Sequence, residues 1–497
     1  MHVITNHLHL HPDVSWKPYI ALQLHSFATI SFFVFISATQ AFLMISQYRV
    51  PGISMGFVIG QIGLADEIAS IFFLGFWGVI SDRIGRRKVL IAGYSLSALG
   101  LFTLPLGTSW ETDMVATRIV FASGTSALAS IMTAMLGEVV APKGLPRASS
   151  MMGIMSGVGA LVAAYGYLRL GAVTCLRAAY FIVAGICIVI GTIVCILYRS
   201  VPPTHATHGA RELLQACAEV PSQVKKDPTL GLALLSSYAA RTGSIVSSLF
   251  ISSWFTQYLR LTGECEAVRG PPPLNATTTF CGLSDTRCAA AVNAASSVSG
   301  TVQAVALASA LFVGLALEKL APHPRWGVLC AGFVGAISFC CVAAIDDPRE
   351  KDIYAVAAFM GLSQIAMIIS SQVLLVRQMP KDRLGVLSAC YSVIGALGVI
   401  TVSVWGGQLF DEKFFQGPFV ITGGAFGIVF IASILTIVFF PVPKDSREDD
   451  SIIKSLPTAT VDLKNVQVHD DSEAAEHQIS KQPQSGSKSK PETSNQA

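Results

Sequence analysis

Long apolar runs recur along the whole chain and restrict it to one class of fold. The hydrocarbon core of a bilayer is about 30 Å thick, and a helix crosses it with roughly 20 apolar residues. Only 13% of the residues are charged, about half the share found in soluble globular chains. The sequence therefore predicts an all-α membrane protein with twelve transmembrane helices in two six-helix pseudo-repeats, near residues 22–46, 58–80, 89–107, 112–136, 150–171, 176–198, 229–259, 294–317, 327–345, 353–376, 385–408 and 419–441.

The spacing of these runs also predicts the domain organisation. A short segment, residues 1–21, precedes an N-terminal bundle at 22–198, and a cytosolic linker at 199–228 leads to a C-terminal bundle at 229–441. The C-terminal bundle contains one long loop, residues 260–293. Residues 442–497 are polar and rich in serine, a composition that cannot bury enough apolar surface to fold alone, so we expect a disordered cytosolic tail.

The positive residues of the connections predict the orientation. If the amino terminus is cytosolic, the inner connections carry fifteen lysines and arginines and the outer connections carry nine, and cytosolic loops are the richer in these residues. The 260–293 loop is then outside, where a glycan at Asn275 and a disulfide are both possible. Three cysteines of that loop are candidates for the disulfide, and the sequence does not say which two pair: Cys265, Cys281 and Cys288.

An internal repeat relates the two halves. Gly78, Asp82 and Arg83 recur as Gly, Glu and Lys exactly 236 positions later, at residues 314, 318 and 319. The same displacement carries the tripeptide at 159–161 onto the identical tripeptide at 395–397. Several matches at one offset indicate a duplicated six-helix unit, and an even number of crossings places both copies in the same orientation.

The stretch GVISDRIGRRK, residues 78–88, resembles the signature that transporters of the major facilitator superfamily carry between their second and third helices. A degenerate copy, GLALEK, precedes predicted helix 9, and EVVAPKGLPR follows predicted helix 4. The resemblance covers about residues 20–441 and is closest to fungal-type drug or metabolite exporters coupled to protons. It implies two six-helix bundles around a central cavity that opens alternately to either side of the membrane.

The resemblance further implies a conformational latch at the inner end of the second helix. Asp82 is expected to lie against the start of helix 11, where a helix amino terminus stabilises an anion by about 0.3–1 kcal/mol, and thereby to favour closure of the cytosolic side. Glu138 is the expected partner of Arg86 or Arg87. The alternative is that these charges only fix the topology. The residues assigned to the latch are Gly78, Asp82, Arg83, Gly85, Arg86, Arg87 and Glu138.

Arg241 is the first of four ionisable residues predicted at membrane depth, where a charge is costly and therefore a functional candidate. It lies near the midplane of helix 7, on a face that also carries Tyr238 and several serines. A guanidinium in that position can hold a carboxylate or phosphate through two parallel hydrogen bonds. An interhelical ion pair without contact to a solute is the alternative.

The other three charges, Asp66, Glu67 and Arg118, lie in the outer parts of helices 2 and 4. Adjacent residues on a helix point about 100° apart, so one of the two carboxylates is expected to face the cavity. Its pairing with Arg118, broken by protonation, would form a proton switch; the alternative is that all three residues contact water at the outer mouth. Ala122 stands where the exporter motif of helix 4 has glycine, which weakens the resemblance to antiporters.

Uncharged polar residues complete the candidate pathway, and each of them is also a candidate for an ordinary interhelical hydrogen bond. Those assigned to the substrate site, with Arg241 and Tyr238, are Gln40 on helix 1, Gln303 on helix 8, Gln364 on helix 10 and Tyr391 on helix 11.

These residues predict a secondary transporter. The sequence shows no catalytic motif and no nucleotide-binding loop, so we expect neither an enzyme nor a cofactor or metal site. The predicted activity is proton-coupled export of an organic anion or secondary metabolite. Arg241 favours anions, whereas Asp66 and Glu67 favour amines, so a multidrug or cation:proton antiporter, a nutrient symporter and a non-transporting sensor remain alternatives. The expected partners are a small solute, protons and membrane lipid, without nucleic acid, and the expected form is a monomer in the plasma or vacuolar membrane.

Overall fold

The computed structural model describes residues 15–140, 145–198, 227–264, 289–320, 324–377 and 384–440, together with residues 222, 224 and 225. The predicted glycan acceptor Asn275, the cysteines 265, 281 and 288, most of the linker and the tail lie outside the described residues.

The described part of the chain is all helical and follows the predicted order of apolar runs. Three helices contain a π-helical turn: Trp110–Met114 opens the fourth, Ala163–Tyr167 lies within the fifth, and Val246–Phe250 lies within the seventh. We number the helices α1 (Trp16–Ser46), α2 (Met55–Ile84), α3 (Arg86–Thr103), α4 (Val115–Val139), α5 (Leu145–Val162, continuing through Leu168–Val173), α6 (Leu176–Leu197), α7 (Pro228–Ile245 and Ile251–Leu261), α8 (Ala289–Leu320), α9 (Arg325–Cys341), α10 (Asp352–Arg377), α11 (Leu384–Asp411) and α12 (Gly417–Phe439).

Eleven of the described helices are long and apolar enough to cross a membrane, and α7 is the helix outside that set. Its polarity comes from serines, several of which donate to carbonyls of the helix itself. Ser236 donates to the Leu232 carbonyl at 2.6 Å, and Ser248 donates to the Ser244 carbonyl at 3.0 Å. Such backbone pairing removes the main cost of a hydroxyl in lipid. The predicted all-α fold of two six-helix units is confirmed, with α1 starting six residues earlier than predicted, at Trp16.

The two halves, α1–α6 and α7–α12, meet along two long helix pairs. α2 packs along α11, and α8 packs along α5. We call the end of the bundle where α2 begins and α11 ends the outer end, and the opposite end the inner end, following the predicted orientation.

At the outer end the halves are in direct contact. Asp411, the last residue of α11, accepts the backbone N–H groups of Gly56 and Phe57 at 2.6 and 2.7 Å. On the other side of the bundle, Arg169 of α5 donates from Nη2 to the Ser297 hydroxyl of α8 at 3.2 Å. Both helix pairs are therefore closed at the outer end.

At the inner end the same four helices separate. A Cβ atom added to any of four glycines there would meet no described atom within 4 Å: Gly75, Gly78, Gly153 and Gly314. Phe72 on α2 and Phe312 on α8 are 65% and 73% exposed. Within the described part of the chain, the two halves therefore meet at the outer end and the inner end is the more open.

Cys175, between α5 and α6 at the outer end, is disulfide-bonded. Cys175 is not one of the three cysteines that the sequence predicts as disulfide candidates. A disulfide belongs to an oxidising compartment. Its place at the outer end agrees with the orientation that the positive residues predict.

Candidate functional site

A cavity lies between the two halves, above the inner opening. The N-terminal half contributes the charged side chains of its wall and the C-terminal half contributes mostly apolar ones, so both halves contribute to one site. The residues that line the cavity are Phe33, Ser37 and Gln40 from α1; Gly63, Asp66, Glu67 and Ser70 from α2; Arg118, Phe121, Ala122 and Thr125 from α4; Ile245 and Leu249 from α7; and Val399 and Ser403 from α11.

Arg118 and Asp66 form an ion pair in the wall of this cavity. Arg118 Nε donates to Asp66 Oδ2 at 2.8 Å, and Nη2 reaches the same oxygen. The side chains are 7% and 16% exposed. A buried pair of this kind is held together because loss of either partner would leave an uncompensated charge. The structure thus places the predicted partners together and selects Asp66, not Glu67, as the carboxylate of the pair.

Glu67, the neighbour of Asp66, makes no hydrogen bond or ion pair to any described residue. It lines the cavity and is 9% exposed. The charges nearest to it are Arg241, Asp66 and Arg118, and its Coulombic interaction with Arg241 is the largest of the three. An unpaired carboxylate in such a place calls for a cation or a proton.

Arg241 lies on the opposite half, on α7, and its side chain is exposed. Its stem lies over α11 at Gly395, where an added Cβ would come within 2.6 Å of Arg241 Cγ. Among the described residues it has no hydrogen bond and no ion pair. Among these residues no interhelical salt bridge of Arg241 is present, and its role stays a prediction.

Four further polar atoms at the cavity are buried and unpartnered within the described structure: Ser37 Oγ, Asp66 Oδ1, Arg118 Nη1 and Ser403 Oγ. They come from α1, α2, α4 and α11, and all four residues line the cavity. Buried polar atoms in proteins are nearly always hydrogen-bonded. Their convergence on one space indicates a place for polar groups of a ligand or for water. The sequence analysis missed Ser37 and Ser403, because a single serine in an apolar run carries no signal of its own.

The predicted tyrosines of α7 and α11 have structural partners. Ser237 donates to the Tyr391 carbonyl at 2.7 Å, which ties α7 to α11. The Tyr391 hydroxyl shares a 2.7 Å hydrogen bond with Ser371 of α10. Tyr238 is half-buried, and its carbonyl lies next to Gly398. These contacts join α7, α10 and α11 next to Arg241. A direct contact of the tyrosines with a solute remains a prediction.

The three predicted glutamines separate in the structure. Gln40 is 3% exposed and lines the cavity. Gln364 accepts a hydrogen bond from Ser247 at 2.9 Å and donates one to Ser244 at 3.2 Å, so it joins α10 to α7 inside the C-terminal half. Gln303 is buried on α8 and does not line the cavity. Of the three, Gln40 is the residue best placed to meet a solute in this conformation.

The inner-end motif is partly assembled. Arg86 at the start of α3 pairs with Glu138 of α4 at 2.8 Å, and the Tyr198 hydroxyl also donates to Glu138. Burial and this hydrogen bond raise the pKa of Tyr198 above its usual range. Gly85 has a φ of 90°, which favours glycine and lets the chain turn directly from α2 into α3. Arg83 and Arg87 are exposed.

The contact predicted for the latch, between Asp82 and the start of α11, lies outside the described residues. The side chain of Asp82 and those at the start of α11 lie outside the described set, and Gly78 meets no neighbour. An open inner end is the state in which a latch that closes the cytosolic side would be released, and its role remains a prediction.

The closest approach of the two halves was not predicted. At the outer end the backbones of α2 and α11 touch at Gly56 and Gly407, where any side chain would collide with the opposite carbonyl. Asp411 lies one turn beyond Gly407 on α11 and caps the start of α2. Its carboxylate therefore sits at the amino-terminal, positive end of α2. We call Gly56, Gly407 and Asp411 the outer seam.

Comparison with known proteins agrees with this architecture. MamH, a magnetosome protein of Paramagnetospirillum magneticum, is 24% identical over 425 residues, which cover 83% of this chain and 90% of MamH. MamZ, a magnetosome protein of Magnetospirillum gryphiswaldense, is 24% identical over 386 residues, which cover 74% of this chain and 54% of MamZ. The chain thus spans about half of MamZ.

Among solved structures, a variant of the nucleoside transporter NupG superposes with a TM-score of 0.63 at 13% identity. The match covers 84% of this chain and 99% of the NupG chain, and it shows the shared fold. The family model of the Major Facilitator Superfamily matches residues 22–286 and 289–469. This match spans most of the sequence, including both halves and the cavity between them, and the chain therefore belongs to the Major Facilitator Superfamily of secondary transporters.

Proposed function

We propose that this secondary transporter moves a small organic solute with an anionic group, coupled to protons, and that Arg241 holds that group. The observation that carries the proposal is the exposed Arg241 guanidinium on α7, which has no ion pair among the described residues and whose charge acts on Glu67 of the cavity wall. A guanidinium at this depth has no compensating carboxylate within the described protein, and a bound carboxylate or phosphate would supply one.

Proton coupling is assigned to the acidic side of the cavity. Asp66 is held by Arg118, whereas Glu67 is unpaired and faces the same space. Protonation of either carboxylate changes the charge that the cavity presents to the solute, so a proton gradient can bias binding on one side of the membrane. Export is the direction that the sequence motifs favour, with both termini in the cytosol.

The relatives do not identify the chemical class of the solute. The names of MamH and MamZ state only that they are magnetosome proteins, and the likeness to NupG, at 13% identity, concerns the fold. The fungal-type subclass and the plasma membrane stay predictions, as does the alternative of a cation:proton antiporter, which Glu67 would serve.

Solute flux in proteoliposomes tests the proposal. A labelled panel of organic acids is offered with and without an imposed pH gradient, and we expect accumulation that collapses when the gradient is dissipated. Arg241→Ala should abolish this flux while the protein stays folded in the membrane, and Lys351→Ala, a cation of the outer surface, should leave it unchanged. Wild-type flux of the Arg241→Ala variant would remove Arg241 from the site. Specific binding with no movement under the gradient would favour a sensor.

A further inference from the structure

Two opposite charges at the cavity are left without partners, one on each half of the molecule. Of the four charged residues at membrane depth, Asp66 and Arg118 neutralise each other within the N-terminal half. Glu67 on α2 and Arg241 on α7 make no hydrogen bond or ion pair to any described residue, and each feels the charge of the other. The site therefore offers one free anion and one free cation.

Their depths in the membrane match. Glu67 is twelve residues from the start of α2 at the outer end, which is about 18 Å along the helix, and Arg241 is thirteen residues from the start of α7 at the inner end, about 20 Å. Both therefore lie close to the middle of a hydrocarbon core of about 30 Å. The two groups belong to opposite halves of the molecule, and Arg241 is among the charges that act on Glu67.

The positions of both groups are built into the backbone. Gly395 leaves room for the Arg241 stem on α11; a Cβ there would lie 2.6 Å from Arg241 Cγ and 2.9 Å from Ser237 Oγ. Glu67 is positioned by α2, whose neighbouring residue Asp66 is fixed by Arg118.

The space around these charges is apolar on several sides. Five hydrophobic side chains line it, from α1, α4, α7 and α11: Phe33, Phe121, Ile245, Leu249 and Val399. A ligand that fills this space gains by burying a hydrocarbon body, at roughly 25 cal/mol for each Å² removed from water. The unpartnered hydroxyls of Ser37 and Ser403 add hydrogen-bonding capacity at the edge.

We propose that the solute is a zwitterion with an apolar body, an amino acid or a similar amine-carboxylate, whose ammonium group binds Glu67 and whose carboxylate binds Arg241. This deepens the proposed function and rests on it. A simple anion would leave the buried Glu67 uncompensated, and a simple amine would leave Arg241 uncompensated. A zwitterion pairs both and adds no net charge to the membrane interior.

Binding of this kind also couples the halves. Because Glu67 belongs to α2 and Arg241 to α7, a solute held by both draws the two halves together around the cavity. Differential contact with the closed state is what lets a ligand shift a conformational equilibrium.

Three labelled pools in proteoliposome counterflow test the assignment: leucine, isoleucine, methionine and phenylalanine; the corresponding carboxylates without the amine; and the corresponding amines without the carboxylate. We expect the amino-acid pool to enter at least tenfold faster than either of the others. Glu67→Gln and Arg241→Gln should each abolish this preference, and Gly395→Ala should weaken it by displacing Arg241 without removing its charge. Glu412→Gln and Lys351→Gln, changes of exposed outer residues, should retain it.

The outcomes separate the two proposals. Carboxylate flux equal to or faster than amino-acid flux would overturn the zwitterion and leave transport of an organic anion standing. Amine flux above both would overturn the zwitterion and the anion together. If none of the three pools enters faster than it enters empty liposomes, the zwitterion proposal is overturned and simple carboxylates are removed as solutes. Size-exclusion profiles matching wild type ensure that lost flux is not lost folding.

Discussion

Removal of the Asp411 carboxylate should open the outer seam. In the present state its two oxygens accept the N–H groups of Gly56 and Phe57, at 2.6 and 2.7 Å, across the boundary between the halves. When α2 and α11 separate at the outer end, these bonds must break. Asp411→Asn therefore destabilises the closed outer end specifically, because an amide keeps the size but loses the charge.

The magnitude follows from what such a contact contributes elsewhere. The amide oxygen of asparagine can still accept one of the two N–H groups, so Asp411→Asn loses one hydrogen bond, about 0.5–1.5 kcal/mol, and a negative charge at the helix amino terminus, about 0.3–1 kcal/mol at an exposed position. Asp411 is half-buried, so we expect a combined loss of about 1–2.5 kcal/mol. At about 1.4 kcal/mol per factor of ten, the outward-open population should rise by roughly 5- to 60-fold.

Sided thiol labelling measures this population. A Ser37→Cys reporter places a thiol on the cavity wall of α1, and a membrane-impermeant maleimide is added from the outer side of sealed vesicles. The Asp411→Asn background should react faster by the factor above. Glu412→Gln, which removes the adjacent exposed carboxylate, is the matched control and should not change the rate. Equal labelling in the two backgrounds would refute the reasoning that Asp411 holds the seam closed.

Three further predictions concern the protein as a folded unit. Arg118→Gln should lower the stability in detergent by about 3–5 kcal/mol because it leaves Asp66 buried and unpaired, and Asp66→Asn added to it should restore part of the melting temperature; no recovery would contradict a mutual pairing. Gly124→Ala should cost about 1–3 kcal/mol, since its Cβ would lie 2.5 Å from the Ser97 nitrogen of α3, whereas Gly185→Ala, with no atom within 4 Å, should be neutral or stabilising; equal melting temperatures would contradict the packing. The hydrogen bond from Arg349 holds the pKa of Asp347 below its usual range. This carboxylate therefore stabilises the fold above its unfolded pKa, and the contribution is lost as the pH falls through the folded pKa. Asp347→Asn should flatten the decline in melting temperature below about pH 5, and an unchanged slope would show that the pair contributes nothing.

The sequence was sufficient for the helices and for part of the site. Apolar runs of sufficient length have one solution in lipid, so their number and order follow directly. Arg118 and the acidic pair of α2 were predicted to meet because they lie at similar depths in neighbouring helices. The resemblance to the transporter family predicted that Glu138 would pair with Arg86 or Arg87, and the structure pairs it with Arg86.

Other features depend on how the helices rotate and cross, which a linear pattern does not record. The choice of Asp66 over Glu67 for the pair is decided by the rotation of α2 about its own axis. Asp411 reads as an ordinary interfacial charge until α2 is seen to begin beside it. The role of Gly395 appears only once the Arg241 stem is seen to lie on it.

The glycines of the inner end carry information about a shape that the molecule does not adopt here. Gly78 and Gly314 occupy equivalent positions in the duplicated halves, and a Cβ atom at either position would meet no described atom within 4 Å. In a helix, glycine without such a neighbour is a net loss of stability compared with alanine. We interpret the two matching glycines as leaving room for close backbone contact at the inner end in the conformation that is closed there. The sequence thus encodes the packing of both the inner and the outer end, although only one of them is closed at a time.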